Sequence, residues 1–320
     1  FKTNKELQFN YILVSIILRR IILIKNNKLN QAINKTKDNY KLGIFFMVIS
    51  SLCFALIAAM VKQVRYLPLM EIIFFQSIPS MIIIPLIAKK MHISLFGKNK
   101  PFLWSSGFLN LIIQLTKFYT FTVMLLSNAT TIHRLSPFFI LLLSVIFLKE
   151  KLSFRQIPLF LLAFLGGLLV IKPGFEVEMF PAMIALLAAI FIALNHVILR
   201  HLRLTDHYLV ITNYVAFIGG LGSLVILLIQ KNFQVPSPSD LFILILIGLI
   251  ALFAQITLTR AYQMAQASLV SLYTYSQIIF ASLFGLMFFK EIPDLLSIIG
   301  ASFIIISGYF NYRWKVKVGK

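Results

Sequence analysis

Residues Arg134 to Gly174 read RLSPFFILLLSVIFLKEKLSFRQIPLFLLAFLGGLLVIKPG. Two apolar runs, at about 131–148 and 156–172, are separated only by the charged stretch from Lys149 to Arg155. The second run stops at Lys172-Pro173-Gly174. A helix needs roughly 17–25 apolar residues to cross a hydrocarbon core about 30 Å thick. Both runs meet that length and carry most of their charge at their ends. The stretch therefore predicts two transmembrane helices joined by a short basic loop.

The rest of the chain extends this reading. Of its 320 residues, 59% are hydrophobic and only 12% are charged, with a mean hydropathy of +0.91. Soluble domains carry about 25% charged residues. Thirty-one Phe and the many Ile could not all be hidden in one soluble core of this size. Lipid has to be the solvent. Further spans are expected at about 42–61, 72–88, 102–125, 180–199, 208–229, 241–262, 268–289 and 295–312, punctuated by Pro68, Pro101, Pro236, Pro238 and Pro293. The expected fold is an all-α membrane protein of ten transmembrane helices.

Lys and Arg outnumber Asp and Glu 30 to 10, for a formal net charge of +20. In a soluble protein that excess would suggest a nucleic-acid partner. Here the cations fall in short gaps between apolar runs, where they report topology instead, and no nucleic-acid partner is expected. With the N-terminus inside, the inner segments hold 22 Lys and Arg against five outside. Without residues 1–41 the ratio is still 13 to five. The positive-inside rule then places both termini in the cytoplasm of a bacterial cell, with the chain in its inner membrane. Residues 1–41 read as a separate basic tail, either interfacial or foreign to the native protein. Its apolar stretch, Tyr11 to Ile24, is broken by Arg19-Arg20. Residues 315–320 are a short cytoplasmic tail.

The chain also repeats itself. ALIAAMVK at 55–62 answers ALNHVILR at 193–200, and Ser127-Asn128-Ala129-Thr130 answers Ala265-Gln266-Ala267-Ser268, both at an offset of 138 residues. Phe147-Leu148-Lys149-Glu150 answers Phe288-Phe289-Lys290-Glu291 at an offset of 141. Two units of five helices, 42–172 and 173–314, follow. Five is odd, so the second unit enters the membrane from the opposite side. Inverted repeats of this kind hold a binding site near the midplane and alternate its access by rocking.

With those residues in view, the chain resembles the EamA-type drug/metabolite transporter superfamily over about 42–314. The resemblance rests on the stretch Arg134 to Gly174 in the first half. In the second half it rests on Arg260-Ala261-Tyr262, Tyr275-Ser276-Gln277, Phe289 to Asp294 and Ser307-Gly308-Tyr309. It implies a ten-helix secondary carrier with helices 1–4 and 6–9 around a central cavity and helices 5 and 10 peripheral. Members similar to this chain take up S-adenosylmethionine, and others export amino acids or move sugars and nucleotide conjugates. One departure is Gln76, where many relatives carry Arg, so an anion-binding role does not carry over to that position.

Ionisable groups at membrane depth mark functional sites. Lys117, Arg134 and Arg260 fall inside the spans, and depth separates them. Lys117 is roughly 12 Å from the outer end of its helix at 1.5 Å per residue, too deep to snorkel, whereas Arg260 near a helix end is expected to reach the interface. Asn110, Gln114 and Lys117 share one helix face at i, i+4 and i+7. Arg134 lies beside His133, with Pro137 freeing a backbone carbonyl one turn back. Tyr273 and Gln277 lie near one face of helix 9. The candidate substrate-binding residues are therefore Lys117, Gln114, Asn110, Arg134, Tyr273 and Gln277. Asn195 and His196 are expected near an interface. Gly166-Gly167 and Gly219-Gly220 are expected at close helix contacts.

Every Asp and Glu lies in a loop, a tail or the first or last turn of a span, with Glu71, Glu150 and Glu291 expected to cap helix ends or contact neighbouring Lys. Buried positive charge without buried carboxylates favours substrates bearing a carboxylate, a phosphate or another acceptor-rich group over cationic drugs. Cys53, the single cysteine, rules out disulfide and Cys-based metal chemistry. No phosphate-cradling GxxxxGK[ST] loop is present, and the five His form no metal or catalytic set with acids. The expected function is secondary transport of a small polar metabolite by alternating access, with S-adenosylmethionine uptake or export of amino acids, other metabolites or drugs as forms of it. A lipid-modifying membrane enzyme is the alternative of another class. No cofactor, metal or catalytic residue is expected; the partners are the metabolite and the bilayer, in a monomer or homodimer.

Overall fold

A computed structural model describes residues 38–64, 66–123, 126–150, 154–171, 179–231, 233–290 and 292–318. The expectation for residues 1–37 lies outside them, as do those for Glu291 and the loop 172–178. The described residues are helical and contain no strand. In chain order the helices are α1 (Tyr40–Gln63), α2 (Leu69–Lys90), α3 (Lys100–Val123), α4 (Leu126–His133), α5 (Ser136–Leu148) and α6 (Gln156–Ile171). They continue as α7 (Met179–His201), α8 (Tyr208–Gln230), α9 (Pro238–Met264), α10 (Ala267–Val270), α11 (Ser276–Phe289) and α12 (Leu295–Val318).

Eight stretches are long and apolar enough to cross a membrane: α1, α2, residues 129–148, residues 179–204, α8, α9, residues 267–289 and residues 295–314. Two expected spans do not qualify by length and composition. Helix α6 has only 16 residues, and Asn110, Gln114 and Lys117 dilute the apolar character of α3. The outward surfaces are what a lipid solvent demands, with Ile82, Leu86, Ile146, Phe242 and Met287 all more than half exposed. A soluble protein would not show so continuous an apolar surface.

Two spans expected to be single helices are broken. The span at 131–148 is interrupted at Arg134-Leu135, and α5 restarts at Ser136 with Pro137 in its first turn. Proline has no N–H to donate backwards, and its ring crowds the preceding turn. The span at 268–289 begins as the single turn α10, tightens into a 3₁₀ segment at Ser271–Tyr275 and only then becomes α11.

Long-range packing is pairwise. Helix α1 lies on α9 and α11, α2 on α8 and α9, α3 on α7 and α8, α5 on α7, and α6 on α12. The largest buried cluster forms where α7 meets α1, α3, α5 and α9, around Met47, Ile140, Ile198, Tyr262 and Leu269. Close helix contact at Gly166 is as expected: a Cβ there would lie 2.5 Å from the Gly300 carbonyl oxygen on α12. Gly220 admits Met81 in the same way, with a Cβ meeting its sulfur at 2.7 Å.

Acidic side chains act at helix ends. The buried Glu71 carboxylate accepts from the Gln234 N–H at 3.0 Å. Asp206 accepts from the N–H groups of Lys98 and Asn99 at 2.6 and 3.1 Å. Glu150 accepts from the N–H groups of Ala267 and Ser268 at 2.9 and 3.1 Å and from the Ser268 hydroxyl at 2.7 Å. Its cationic neighbour is Arg200, whose Nε lies 3.3 Å away at ion-pair range but outside hydrogen-bonding geometry. Asp240 completes a capping box with Ser237 at the start of α9.

Candidate functional site

The polar stripe of α3 faces a cleft. Asn110 and Gln114 sit one turn apart, and the Gln114 amide donates to the Asn110 oxygen at 2.7 Å. Around them stand Phe54 of α1, Gln76 of α2, Thr212 of α8 and Gln255 of α9. The cleft has a cavity volume of about 60 Å³ and is open at its mouth. Among the described residues, no ionisable side chain lines it.

Lys117 is the next residue of the stripe, about 4.5 Å beyond Gln114 along the helix. It is half-buried, and no hydrogen bond or ion pair engages its ammonium among the described residues. Arg134, His133 and His196 lie within electrostatic reach of it. No carboxylate among the described residues acts on Lys117 or Arg134. Two cations therefore lie within electrostatic reach of each other with no carboxylate acting on either among the described residues, an arrangement that costs free energy unless an anionic ligand joins it.

The break between α4 and α5 positions Arg134. Its carbonyl accepts from the hydroxyl of the fully buried Tyr275 at 2.8 Å, and its guanidinium Nη1 donates to Gln277 Oε1 at 3.3 Å. A helix interrupted within a membrane needs such side-chain partners for its backbone. Arg134 and Gln277, 143 residues apart, are thus brought together. His133 lies on the α3 side, with Nε2 3.4 Å from the Thr120 hydroxyl.

The other candidates are distributed differently. Tyr273 turns away from the cations and donates to the Gly308 carbonyl on α12 at 3.0 Å. Arg260 is partly exposed, and its guanidinium lies between the Phe46 and Tyr208 rings, 4.7 and 4.8 Å from their centroids. His196 stacks on Tyr262 with centroids 4.5 Å apart and Nδ1 3.0 Å from the Tyr262 hydroxyl. The buried Asn195 accepts from the Ser106 hydroxyl at 2.8 Å. Both are thus engaged by tertiary packing, Asn195 against α3 and His196 against α9.

Sequence reasoning missed Gln255 and Tyr275. Gln255 is isolated in the apolar run of α9, where nothing in the sequence singles it out. Tyr275 stands in the Tyr275-Ser276-Gln277 stretch quoted above, but its partner, a backbone carbonyl 141 residues away, is not legible there. Among the described residues, no group of His, Cys, Asp or Glu is placed to hold a metal ion.

Residues 41–172 and 179–313 match the EamA-like transporter family. The chain belongs to this family. Among similar proteins, the pseudopaline exporter CntI of Pseudomonas aeruginosa is 30% identical over 84% of this chain and 95% of its own. Solute carrier family 35 member G1 of Mus musculus is 30% identical over 85% and 79%. An S-adenosylmethionine uptake transporter of Rickettsia prowazekii is 24% identical over 67% and 74%. A solved crystal structure superposes with a TM-score of 0.80 at 14% identity, covering 88% of this chain and 100% of that one, which shows a shared fold. The EamA assignment makes this chain a multi-pass membrane protein of a transporter family.

Proposed function

We propose that this EamA-family protein is a secondary carrier for a small polar metabolite bearing a carboxylate or similar anion, seated at the bacterial inner membrane with both termini cytoplasmic. The observation that carries this reading is the unpaired Lys117 beside Arg134, at membrane depth and next to a polar cleft. An anion entering there exchanges hydration for two cations on which no carboxylate acts among the described residues. Candidate contacts are Lys117, Arg134 and Gln277 for the anion and Asn110 and Gln114 for the remainder. Tyr273 is assigned to packing, because its hydroxyl is committed to α12.

We further propose ten spans in two inverted halves, 42–172 and 173–314. Two features support this. The helix pairings map onto themselves when α1 exchanges with α7, α2 with α8, α3 with α9, α5 with α11, and α6 with α12. Among the described residues, the four non-glycine positions with positive φ also form two matched pairs: His92 and Lys231 end α2 and α8, and Lys149 and Lys290 end α5 and α11. Alternating access by rocking of the halves follows from such a design.

S-adenosylmethionine, carried by a Rickettsia relative, has the required carboxylate; the similarity to an exporter supports the opposite direction equally. Counterflow into proteoliposomes with labelled S-adenosylmethionine, amino acids and nucleotide sugars tests the reading. Saturable exchange of at least one anionic metabolite, lost in Lys117→Ala while yield and insertion persist, is the expected result. Flux without saturation, or unchanged kinetics in Lys117→Ala, overturns it.

A further inference from the structure

The cleft and the cation pair differ in chemistry, and the difference says something about the ligand's other end. Four carboxamides from three helices converge on the cleft: Gln76 of α2, Asn110 and Gln114 of α3, and Gln255 of α9. Asn110 and Gln114 satisfy one donor and one acceptor between them. The Gln255 Nε2 is buried and has no hydrogen-bond partner among the described residues. A buried amide donor left unpaired costs free energy, a cost that a ligand acceptor would relieve if the Gln255 amide turned into the cleft it lines.

We infer that this carboxamide cluster is a second subsite, distinct from the cation pair, which selects an uncharged hydrogen-bonding group at the far end of the substrate. The inference rests on the proposed anion site at Lys117 and Arg134. A carboxamide offers both donor and acceptor, so it pairs with amides, nucleobase edges and hydroxyls. A distal carboxylate or ammonium would instead be transferred from water into a cleft with no opposite charge. The rise along α3 to Lys117 is about 4.5 Å from Gln114 and about 10 Å from Asn110, so the ligand spans a distance in that range. The substrate class is therefore a carboxylate metabolite about 5–10 Å long with a neutral polar far end, such as an amide or a nucleoside.

The test is ligand-induced thermal stabilisation of the purified full chain, since a ligand that binds the folded state raises its melting temperature. Five probes share an amino-acid head and differ at the far end: L-glutamine, S-adenosylhomocysteine, L-glutamate, L-lysine and L-norleucine. The expected result is that glutamine or S-adenosylhomocysteine binds about tenfold more tightly than the two charged-end probes and norleucine, the factor one or two lost hydrogen bonds supply. Gln255→Leu should erase that preference, and Gln76→Leu is the second variant should the first not fold. Lys117→Gln should weaken every probe alike. Absence of stabilisation by either neutral-polar probe, or a preference that survives both leucine variants, overturns the inference. If the preference depends on Gln255 but Lys117→Gln changes nothing, the anion site fails instead.

Discussion

Glu150 gives the sharpest test of how this structure holds together. It follows Lys149, whose left-handed backbone (φ 51°) turns the chain out of α5, and it is only 8% exposed. Its carboxylate takes three hydrogen bonds at the start of α10 and lies beside the 2%-exposed Arg200. Removing it in Glu150→Ala leaves two backbone N–H groups at a helix start unpaired and deprives Arg200 of one of its two acids. Breaking a buried ion pair from one side costs about 3–5 kcal/mol. Asp38 moderates the loss, because it still binds the Arg200 Nη2 through both oxygens at 2.8 and 2.9 Å. A loss of about 3–4 kcal/mol is expected. Glu150→Gln keeps one acceptor oxygen but turns an amide donor toward other donors, for about 1–2 kcal/mol. Reversible denaturation in mixed micelles, followed by far-UV circular dichroism, reads both. The reasoning fails if Glu150→Ala lies within about 0.5 kcal/mol of the parent, or if the glutamine variant is as costly as the alanine.

Other perturbations separate packing from binding. Gly300→Ala drives a Cβ against the Gly166 carbonyl and to within 2.9 Å of the Leu169 Cβ; a loss of about 1–3 kcal/mol in the same denaturation measurement is expected, with the transport rate per folded molecule unchanged. Tyr273→Phe loses the bond to the Gly308 carbonyl and should cost about 1 kcal/mol of stability without changing substrate affinity. A large affinity loss in that variant would return Tyr273 to the binding site. Arg134→Lys keeps the charge but loses the planar fork that reaches Gln277, so proteoliposome exchange should weaken several-fold, and equal kinetics would show that charge alone suffices.

The helices and their ends are legible in the amino-acid sequence because lipid imposes a simple condition. Every backbone group must be bonded within the segment, so apolar length alone predicts a helix, and Pro, Gly and charge mark where it stops. Expected and observed ends differ by only a few residues, as at 208–229 against Tyr208–Gln230. The polar stripe Asn110, Gln114 and Lys117 is legible for a related reason, since three polar residues in an apolar run have to face something other than lipid. Tertiary structure decides what no period encodes. The breaks at Arg134-Leu135 and at Ser271–Tyr275 rely on partners more than a hundred residues away, such as the Tyr275 hydroxyl on the Arg134 carbonyl. Tyr273 and Gln277 look alike on a helical wheel, yet the 3₁₀ segment turns one toward α12 and leaves the other on Arg134. Gln255 becomes informative only once α9 is placed across the cleft from α3, because an isolated amide acquires meaning from the partner it lacks. Hydropathy says which residues leave water; only the packed helices say which polar groups meet.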